Sequence, residues 1–478
     1  MNNLLIRISS GFSWMLISKL FLQFVKIFFM IFLARIILPS EFGKAAIIII
    51  FFSICEGFFQ FIYYNIIFLK KLTDKYISAA IYISIFISSF IIVVVYSLNY
   101  LLGYNDTDNL LGQVELFYIC FVYFTGLCVV FKAVLYKNLY FKFIALSNSS
   151  ANIIGTGVFS LFIALYFTQT YHAILLGFVL SYMLNLIFAI YKYKIKIKRI
   201  DIRHIKDLSS QFISITSNSI VNKFAINGDY IVINNYLGVN SLGFYSKAYE
   251  FVSKPVNIIG NTFNNVSLTS ISNLKTDLNK VQQLVYKMTY LLSFISFPAS
   301  VSIFLVGKDV IKFFLGPEWA TTGEVISILG FLIFFRIGYK KLMALIQSKK
   351  QFNLILIIQL VYALNIIIGS YMLYPKGLYY ISIWVVISCV LHYLICLFVV
   401  KREFSLNFVK ILKEFIPGLM FSIILYINYL MIFDLIENIY ISVFSSFLLS
   451  FLIFIILEKL YPGFIKIVKI KKYLINDV

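Results

Sequence analysis

The sequence predicts an all-α protein that crosses a membrane about fourteen times. Of its 478 residues, 61% are hydrophobic. They form stretches of about 20 residues or more, enough to cross a hydrocarbon core of ~30 Å as a helix. The gaps between the stretches are too short for a soluble domain. The predicted spans are 14–36, 43–69, 80–103, 113–135, 145–167, 172–191, 210–236, 243–271, 286–305, 323–346, 353–374, 377–400, 414–433 and 438–458.

The basic residues between the spans predict the orientation of the chain. The N-terminal segment, every second gap and the C-terminal tail together hold 26 Lys and Arg residues, whereas the opposite side holds 4, counting Lys44 at the start of span 2. Cytoplasmic loops of membrane proteins carry the excess of Lys and Arg. We therefore expect both termini to be cytoplasmic, which agrees with an even number of spans.

Composition and absent motifs narrow the class of protein. A net charge of +21 would indicate nucleic-acid binding in a soluble protein, but here most of the excess lies in predicted cytoplasmic loops, so we expect no nucleic-acid partner. The five cysteines all lie within predicted spans, and their number and spacing indicate neither a disulfide framework nor a metal site. There is no GxxxxGK[ST] nucleotide loop. These features favour a transporter over an enzyme.

Polar stripes inside the spans indicate a water-filled cavity. A charge at the centre of a lipid-facing helix costs about 2.5–3.5 kcal/mol, yet the periodicity of a helix places several charges on one face of spans 1, 2, 7, 8 and 10. The predicted substrate-binding cations are Lys19, Lys26, Lys247, Lys254, Arg336 and Lys340. The predicted polar lining is Gln23, Gln60, Asn218, Asn222, Asn257 and Asn261. The acids predicted to balance charge or couple an ion are Glu56, Asp229 and Glu250.

Two interpretations of these stripes remain open. Polar residues also hold membrane helices together, and Lys247, Glu250 and Lys254 could form a structural ion triad. However, basic residues outnumber acidic ones within the spans, and a buried excess of positive charge favours an anionic, phosphate-bearing substrate. Lys341 lies near a span end, where we expect its side chain to reach the membrane surface. We expect His392, in the middle of span 12, to have a hydrogen-bonded packing role.

A short internal repeat predicts two halves. The end of span 1 (ARIILPSEFG, 34–43) and the end of span 7 (INNYLGVNSLG, 233–243) share a tight turn that leads into a second helix. Their offset of about 200 residues covers six spans, so the repeats would be parallel, an arrangement in which the substrate lies between the halves. The predicted organisation is an N-terminal lobe (1–195), a basic cytoplasmic linker (196–209) that is amphipathic and lies on the membrane surface, a C-terminal lobe (210–400), and two further helices with a basic tail (401–478).

Four blocks of sequence resemble a known family: ARIILPSEFGKAAI (34–47), FKAVLYKNLYFKFIAL (131–146), GDYIVINNYLGVNSLGFYSKAYEFVSKP (228–255) and FFLGPEWATTGEVISILG (313–330). They are similar to the polysaccharide-exporter and O-antigen (Wzx-type) flippase branch of the multidrug/oligosaccharidyl-lipid/polysaccharide (MOP) superfamily. The resemblance implies a V-shaped, MATE-like bundle with two six-helix lobes and two C-terminal helices. The family's acid in span 7 matches Asp229, whereas the basic residue often found two positions earlier is Asn227 here.

The resemblance also implies a function. It predicts a multi-pass protein of the bacterial inner membrane that moves an undecaprenyl-pyrophosphate-linked oligosaccharide, such as an O-antigen repeat unit, from the cytoplasmic to the outer leaflet. It implies a monomer without a cofactor, coupled to H⁺ or Na⁺, that works beside the polymerase and chain-length regulator of the same pathway.

Two other functions stay open at the level of sequence. One is a cation-coupled drug or metabolite exporter of the same fold, although a basic cavity suits cationic drugs poorly. The other is a membrane enzyme such as a polymerase or acyltransferase. An enzyme would need a catalytic outer loop, and the longest outer gap, 306–322, is short.

Overall fold

The computed structural model describes residues 2–69, 72–101, 115–194, 198, 202–209, 212–273, 278–349, 351–433 and 438–460. In these segments every regular element is a helix, as predicted. Contacts divide the chain into two compact units, unit 1 (Met1–Ser246) and unit 2 (Lys247–Val478). The predicted lobes and linker remain a prediction.

Unit 1 contains ten α-helices, of which the last continues past its boundary. They are α1 Asn2–Ile36, α2 Pro39–Gly57, α3 Gln60–Phe68, α4 Asp74–Leu101, α5 Glu115–Lys137, α6 Phe141–Asn152, α7 Ser160–Tyr166, α8 Tyr171–Lys192, α9 Ile202–Ser209 and α10 Phe212–Asn273. A π-helical segment, Ile153–Phe159, joins α6 to α7. Within the unit, Phe52, Phe121 and Phe178 stack in the core, with Phe52 and Phe121 ring centroids 3.9 Å apart.

Unit 2 contains eight further α-helices in the described segments. They are α11 Leu278–Leu315, α12 Ala320–Leu329, α13 Leu332–Ser348, α14 Phe352–Leu373, α15 Leu378–Phe404, α16 Phe408–Lys413, α17 Ile416–Phe433 and α18 Ile439–Leu460. Two 3₁₀ turns, Pro317–Trp319 and Tyr374–Lys376, precede α12 and α15.

The prediction of an all-α multi-pass membrane protein is confirmed. Ten helices among the described residues are long and apolar enough to cross a membrane, or eleven if the bent pair Pro317–Leu329 and Leu332–Gln347 forms one span. The other three predicted spans lie in α10, which is rich in Asn, Lys and Ser, and in α18, whose apolar stretch is Ile441–Ile453. The count of fourteen therefore remains a prediction.

α10 is two helices separated at Gly238. That glycine has φ 83° and ψ 169°, outside the helical region and readily adopted only by glycine. The break divides α10 into α10a (212–237) and α10b (239–273), close to the predicted end of span 7. It lies 200 positions after Leu38, the residue between α1 and α2.

The two repeated turns meet at a reciprocal glycine contact. A Cβ atom on Gly43 would lie 1.8 Å from the carbonyl oxygen of Val239, and a Cβ atom on Gly243 would lie 1.8 Å from the carbonyl oxygen of Pro39. Only glycine permits two helix backbones to approach so closely. Gly43 and Gly243 are 200 residues apart in the sequence, as are Pro39 and Val239, which agrees with the offset of the internal repeat.

The basic linker contains a short helix that packs onto unit 1. In α9, Leu208 is buried and its carbonyl accepts a hydrogen bond from Asn65 Nδ2 at 2.6 Å, while the hydroxyl of Tyr76 donates to Asp207 at 2.9 Å. Arg203 and Lys206 are exposed. The helix is therefore amphipathic, and its place on the membrane surface remains a prediction.

Candidate functional site

The predicted residues of α1 lie on one helix face with increasing burial. Lys19 is exposed, whereas Gln23 and Lys26 are half-buried. The Nε2 atom of Gln23 is buried and has no hydrogen-bond partner among the described residues. A buried amide without a partner costs free energy, so Gln23 marks a place where a polar ligand or water would be stabilised.

A second group lies where α2 ends beside α10a. Glu56 and Gln60 are half-buried on either side of the break between α2 and α3. A Cβ atom on Gly57 would lie 3.1 Å from the hydroxyl oxygen of Ser219, so this break packs against the residue that follows Asn218. Asn222, one turn further along α10a, is also half-buried. The structure thus places the end of α2, beside Glu56 and Gln60, against the segment of α10a that carries Asn218 and Asn222.

Asp229 links the two sides of the α10 break. Its carboxylate is fully buried and accepts hydrogen bonds from the hydroxyl of Tyr245, in α10b, and from the backbone N–H of Tyr230. The N–H of Tyr230 lies before Gly238 and the hydroxyl of Tyr245 lies after it. Because the carboxylate binds donors on both sides of the break, it stabilises the bent form of α10. A role in ion coupling remains a prediction. Asn227, where the family often has a basic residue, donates to the backbone carbonyl of Lys223.

The ion triad that sequence reasoning left open is present in α10b. Lys247 Nζ lies 2.8 Å from one carboxylate oxygen of Glu250, and Lys254 pairs with the other oxygen. Their side chains are 13%, 31% and 18% exposed, in the order Lys247, Glu250 and Lys254. Lys247 and Lys254, predicted as substrate-binding cations, thus share a counterion within their own helix.

The cations of α13 have a different environment. Arg336 is 4% exposed, donates to the hydroxyl of Tyr249, and places its guanidinium carbon 4.6 Å from the centroid of that ring. Lys340 donates to the amide oxygen of Asn257 at 2.6 Å. Within the described residues neither cation has a carboxylate partner, and the Nε atom of Arg336 has no hydrogen-bond partner at all. Both keep hydrogen-bonding capacity for an anion.

The prediction for the side chain of Lys341 is wrong. We expected its side chain to reach the membrane surface, but it is 1% exposed and its ammonium donates to the hydroxyl of Thr289 in α11 at 2.6 Å. The reason is helical spacing, because Lys341 continues the stripe of Ile333 and Ile337, which are buried. That i, i+4, i+8 spacing was visible in the sequence and could have identified it.

His392 is also only partly as predicted. It packs between the rings of Tyr339 and Tyr362, at centroid distances of 4.5 and 4.2 Å. The predicted hydrogen bond is wrong, since neither ring nitrogen has a partner in the described segments. The contacts of its ring are instead with these two tyrosine rings.

Asn261 lies outside the residues whose side chains the structure describes, so its predicted role stays a prediction. No group of three His, Cys, Asp or Glu residues in the described segments could hold a metal ion. The five cysteines are free thiols, and four of them are buried.

The arrangement is suited chemically to binding an anion. In unit 2, Glu250 pairs with two cations of α10b, and the cations of α13 have neutral partners; the five cations are Lys247, Lys254, Arg336, Lys340 and Lys341. Hydrogen bonds in which the donor or the acceptor is ionised are about twice as strong as neutral ones, and arginine can bind a phosphate through two N–H groups. Neutral partners such as Tyr249 and Asn257 can be exchanged for a phosphate at little cost.

Comparison with known proteins places the chain in a family. Residues 32–324 match the family model described as "Polysaccharide biosynthesis protein". The chain belongs to this family. Among curated relatives, it is 23% identical to the teichuronic acid biosynthesis protein TuaB of Bacillus subtilis over 55% of each chain, so the match spans about half of that relative's length. It is 22% identical to the lipopolysaccharide biosynthesis protein WzxC of Escherichia coli, over 67% of this chain and 65% of WzxC.

Solved structures identify the fold. The lipid II flippase MurJ in an inward closed conformation has a TM-score of 0.74 at 18% identity, covering 93% of this chain and 98% of MurJ. An inward-facing multidrug resistance MATE family transporter of the MOP superfamily has a TM-score of 0.63 at 12% identity, covering 82% and 98%. The predicted family is confirmed, the fold is that of MurJ and of the MATE transporter, and the chain is a multi-pass membrane protein with bacterial relatives.

Proposed function

We propose that this protein is a flippase that moves an undecaprenyl-pyrophosphate-linked oligosaccharide from the cytoplasmic to the outer leaflet by alternating access. The substrate is the repeat unit of an O-antigen or of another surface polysaccharide. The family membership supports the polysaccharide part of this proposal, and the likeness to a lipid flippase is one of fold.

The observation that carries the proposal is the buried positive charge of α13. Arg336, Lys340 and Lys341 donate to a phenol, an amide and a hydroxyl, so their charge is not neutralised by any described carboxylate. Taking an isolated cation out of water costs several kcal/mol, and a membrane protein retains such charges where they contact a substrate or ion. A pyrophosphate supplies the missing negative charge, and the asparagines near it suit sugar hydroxyls.

The test is the leaflet distribution of the lipid-linked oligosaccharide in a deletion strain. The strain would be complemented with the wild type, with Arg336→Ala, or with Lys312→Ala, which changes an exposed lysine of α11 and serves as the matched control. We expect the glycolipid to accumulate in the inner leaflet of the deletion strain. The wild type and Lys312→Ala should remove that accumulation, and Arg336→Ala should not.

Two outcomes would contradict the proposal in different ways. If Arg336→Ala, at wild-type protein level, complements as well as Lys312→Ala, then the cation of α13 is not needed for transport. If the deletion strain accumulates no glycolipid but becomes sensitive to a drug or metabolite, then the protein is the alternative exporter of the same fold.

A further inference from the structure

An apolar cavity in unit 2 lies between helices that also carry Arg336 and its hydrogen-bond partner Tyr249. It has a volume of about 170 Å³ and is formed by α10b, α11 and α13. Its lining includes Val252 and Val256 of α10b, Ala299 of α11, and Ile333 and Ile337 of α13. An apolar cavity of about 150 Å³ stays dry and takes up a benzene-sized molecule. This cavity therefore offers a place for about one compact, branched hydrocarbon unit.

The cavity opens to the surface at α11. Ile295, which contributes to the lining, is 56% exposed, whereas Val252, Val256 and Ile337 are at most 3% exposed. An apolar group can thus enter past Ile295 and reach a wall that is otherwise closed to solvent. Pro298 lies in the same turn of α11, where its ring removes one helical hydrogen bond.

The apolar wall and the cation are adjacent on both helices. On α13, Arg336 lies three residues after Ile333 of the cavity wall, a spacing at which two side chains are neighbours on the helix surface. On α10b, Tyr249 accepts the hydrogen bond of Arg336. Tyr249 also shares one helix face with Val252 and Val256 of the cavity wall, at spacings of three and seven residues. Neither Arg336 nor Tyr249 lines the cavity itself, so a ligand that fills it would meet the guanidinium only with the atoms that follow the buried unit.

We propose that this cavity binds the isoprene unit next to the pyrophosphate of a polyprenyl-pyrophosphate lipid. This inference rests on the proposed function and names a subsite for the lipid part of the substrate. Charge complementarity selects an anionic amphiphile, because the apolar wall ends at a cation. A compact cavity favours a branched five-carbon unit over a straight chain, which would leave space unfilled on either side and lose packing contacts.

The test is binding of short pyrophosphates to the full-length protein in nanodiscs of phosphatidylethanolamine and phosphatidylglycerol. The probes are inorganic pyrophosphate, geranyl pyrophosphate and octyl pyrophosphate, which has the same main-chain length without methyl branches. The variants are Ile333→Phe, which fills the cavity, and Ile357→Phe, the same change at a position of α14 that is 56% exposed.

We expect geranyl pyrophosphate to bind the wild type and Ile357→Phe about tenfold more tightly than inorganic pyrophosphate, since burial of even two methylene-sized groups has that effect. Ile333→Phe should lose this advantage while its affinity for inorganic pyrophosphate stays unchanged. The inference would be overturned if Ile333→Phe still bound geranyl pyrophosphate about tenfold more tightly than inorganic pyrophosphate. It would also be overturned if the wild type bound octyl pyrophosphate as tightly as geranyl pyrophosphate.

The same measurements separate this inference from the proposed function. If no pyrophosphate binds, with or without a chain, the proposed function fails and the subsite fails with it. If Ile333→Phe does not fold, a diazirine-bearing prenyl pyrophosphate would be cross-linked to the wild type. Labelling of Val252, Val256 or Ile337 supports the subsite, and labelling confined to other helices overturns it.

Discussion

The two groups of cations in unit 2 differ in their counterions. In α10b, Lys247 and Lys254 share the carboxylate of Glu250. The attraction of an incoming phosphate must therefore compete with an ion pair that is already formed. Removing the carboxylate would leave two cations in a partly buried place, so this group contributes mainly to the stability of the helix.

In α13, by contrast, Arg336, Lys340 and Lys341 have neutral partners. Their desolvation is compensated by hydrogen bonds but their charge is not neutralised. A substrate anion gains the full electrostatic attraction of such groups. Helix position and charge alone therefore do not identify a cation that binds substrate, because the two groups differ in the partner of each charge.

The largest expected effect belongs to Arg336→Ala. We expect transport per protein molecule to fall about 10- to 100-fold, since a hydrogen bond to a charged group contributes about 1.5–3 kcal/mol. Arg336→Lys should be intermediate because it keeps the charge but not the two-pronged geometry. Surface polysaccharide per molecule of membrane-inserted protein measures this. Equal transport by Arg336→Ala and the wild type would remove the distinction between the two groups.

Lys341→Met is the next test, and it separates function from stability. Taking a cation out of water costs several kcal/mol, and an apolar side chain of similar length does not carry that cost. We expect an unchanged or higher melting temperature of the purified protein together with transport reduced about fivefold. A lower melting temperature would mean that the hydrogen bond between Lys341 and Thr289 is structural. That result would contradict the assignment of Lys341 to the cations that bind the substrate anion.

Glu250→Gln should have the opposite pattern. The change leaves Lys247 and Lys254 without their shared carboxylate, and we expect the free energy of unfolding to fall by about 1–3 kcal/mol. This loss is smaller than for a fully buried ion pair, because the side chain of Glu250 is 31% exposed. The melting temperature should fall while transport per folded molecule stays within about twofold. Strongly reduced transport at an unchanged melting temperature would place the triad in the binding site.

Lys254→Ala should have the smallest effect. Lys247 remains to neutralise Glu250, so we expect changes within about twofold in transport and within about 1 kcal/mol in stability, the range of partly exposed ion pairs. The measurement is the same pair of assays as for Glu250→Gln. A tenfold loss of transport would restore Lys254 to the cation set predicted from the sequence.

The sequence predicted the fold more completely than the site. Apolar stretches of membrane-crossing length fixed the helices, because a backbone in lipid must satisfy its hydrogen bonds internally. The repeated turn predicted a break near residue 237, and Gly238 is the residue that makes it. The pairing of Gly43 with Gly243 was not predicted, since an offset in sequence says nothing about which backbones touch.

The site was predicted as a set of residue types but not as a set of partners. Helical periodicity placed Lys247, Glu250 and Lys254 on one face, and it could not decide whether their charges were shared or free. Lys341 was missed because a lysine near the end of an apolar stretch usually extends to the membrane surface. Its contact with Thr289 depends on the packing of α13 against α11, which no local pattern encodes.

The most direct test of the proposed function is transbilayer movement in proteoliposomes. A fluorescent polyprenyl-pyrophosphate oligosaccharide would be placed in one leaflet, and its arrival in the other would be measured for the wild type, Arg336→Ala and Lys312→Ala at equal protein content. We expect movement with the wild type and Lys312→Ala, and at least a tenfold slower rate with Arg336→Ala. Movement at the rate of protein-free vesicles in all three would contradict a flippase, and equal rates in all three above that background would contradict the role of the α13 cations.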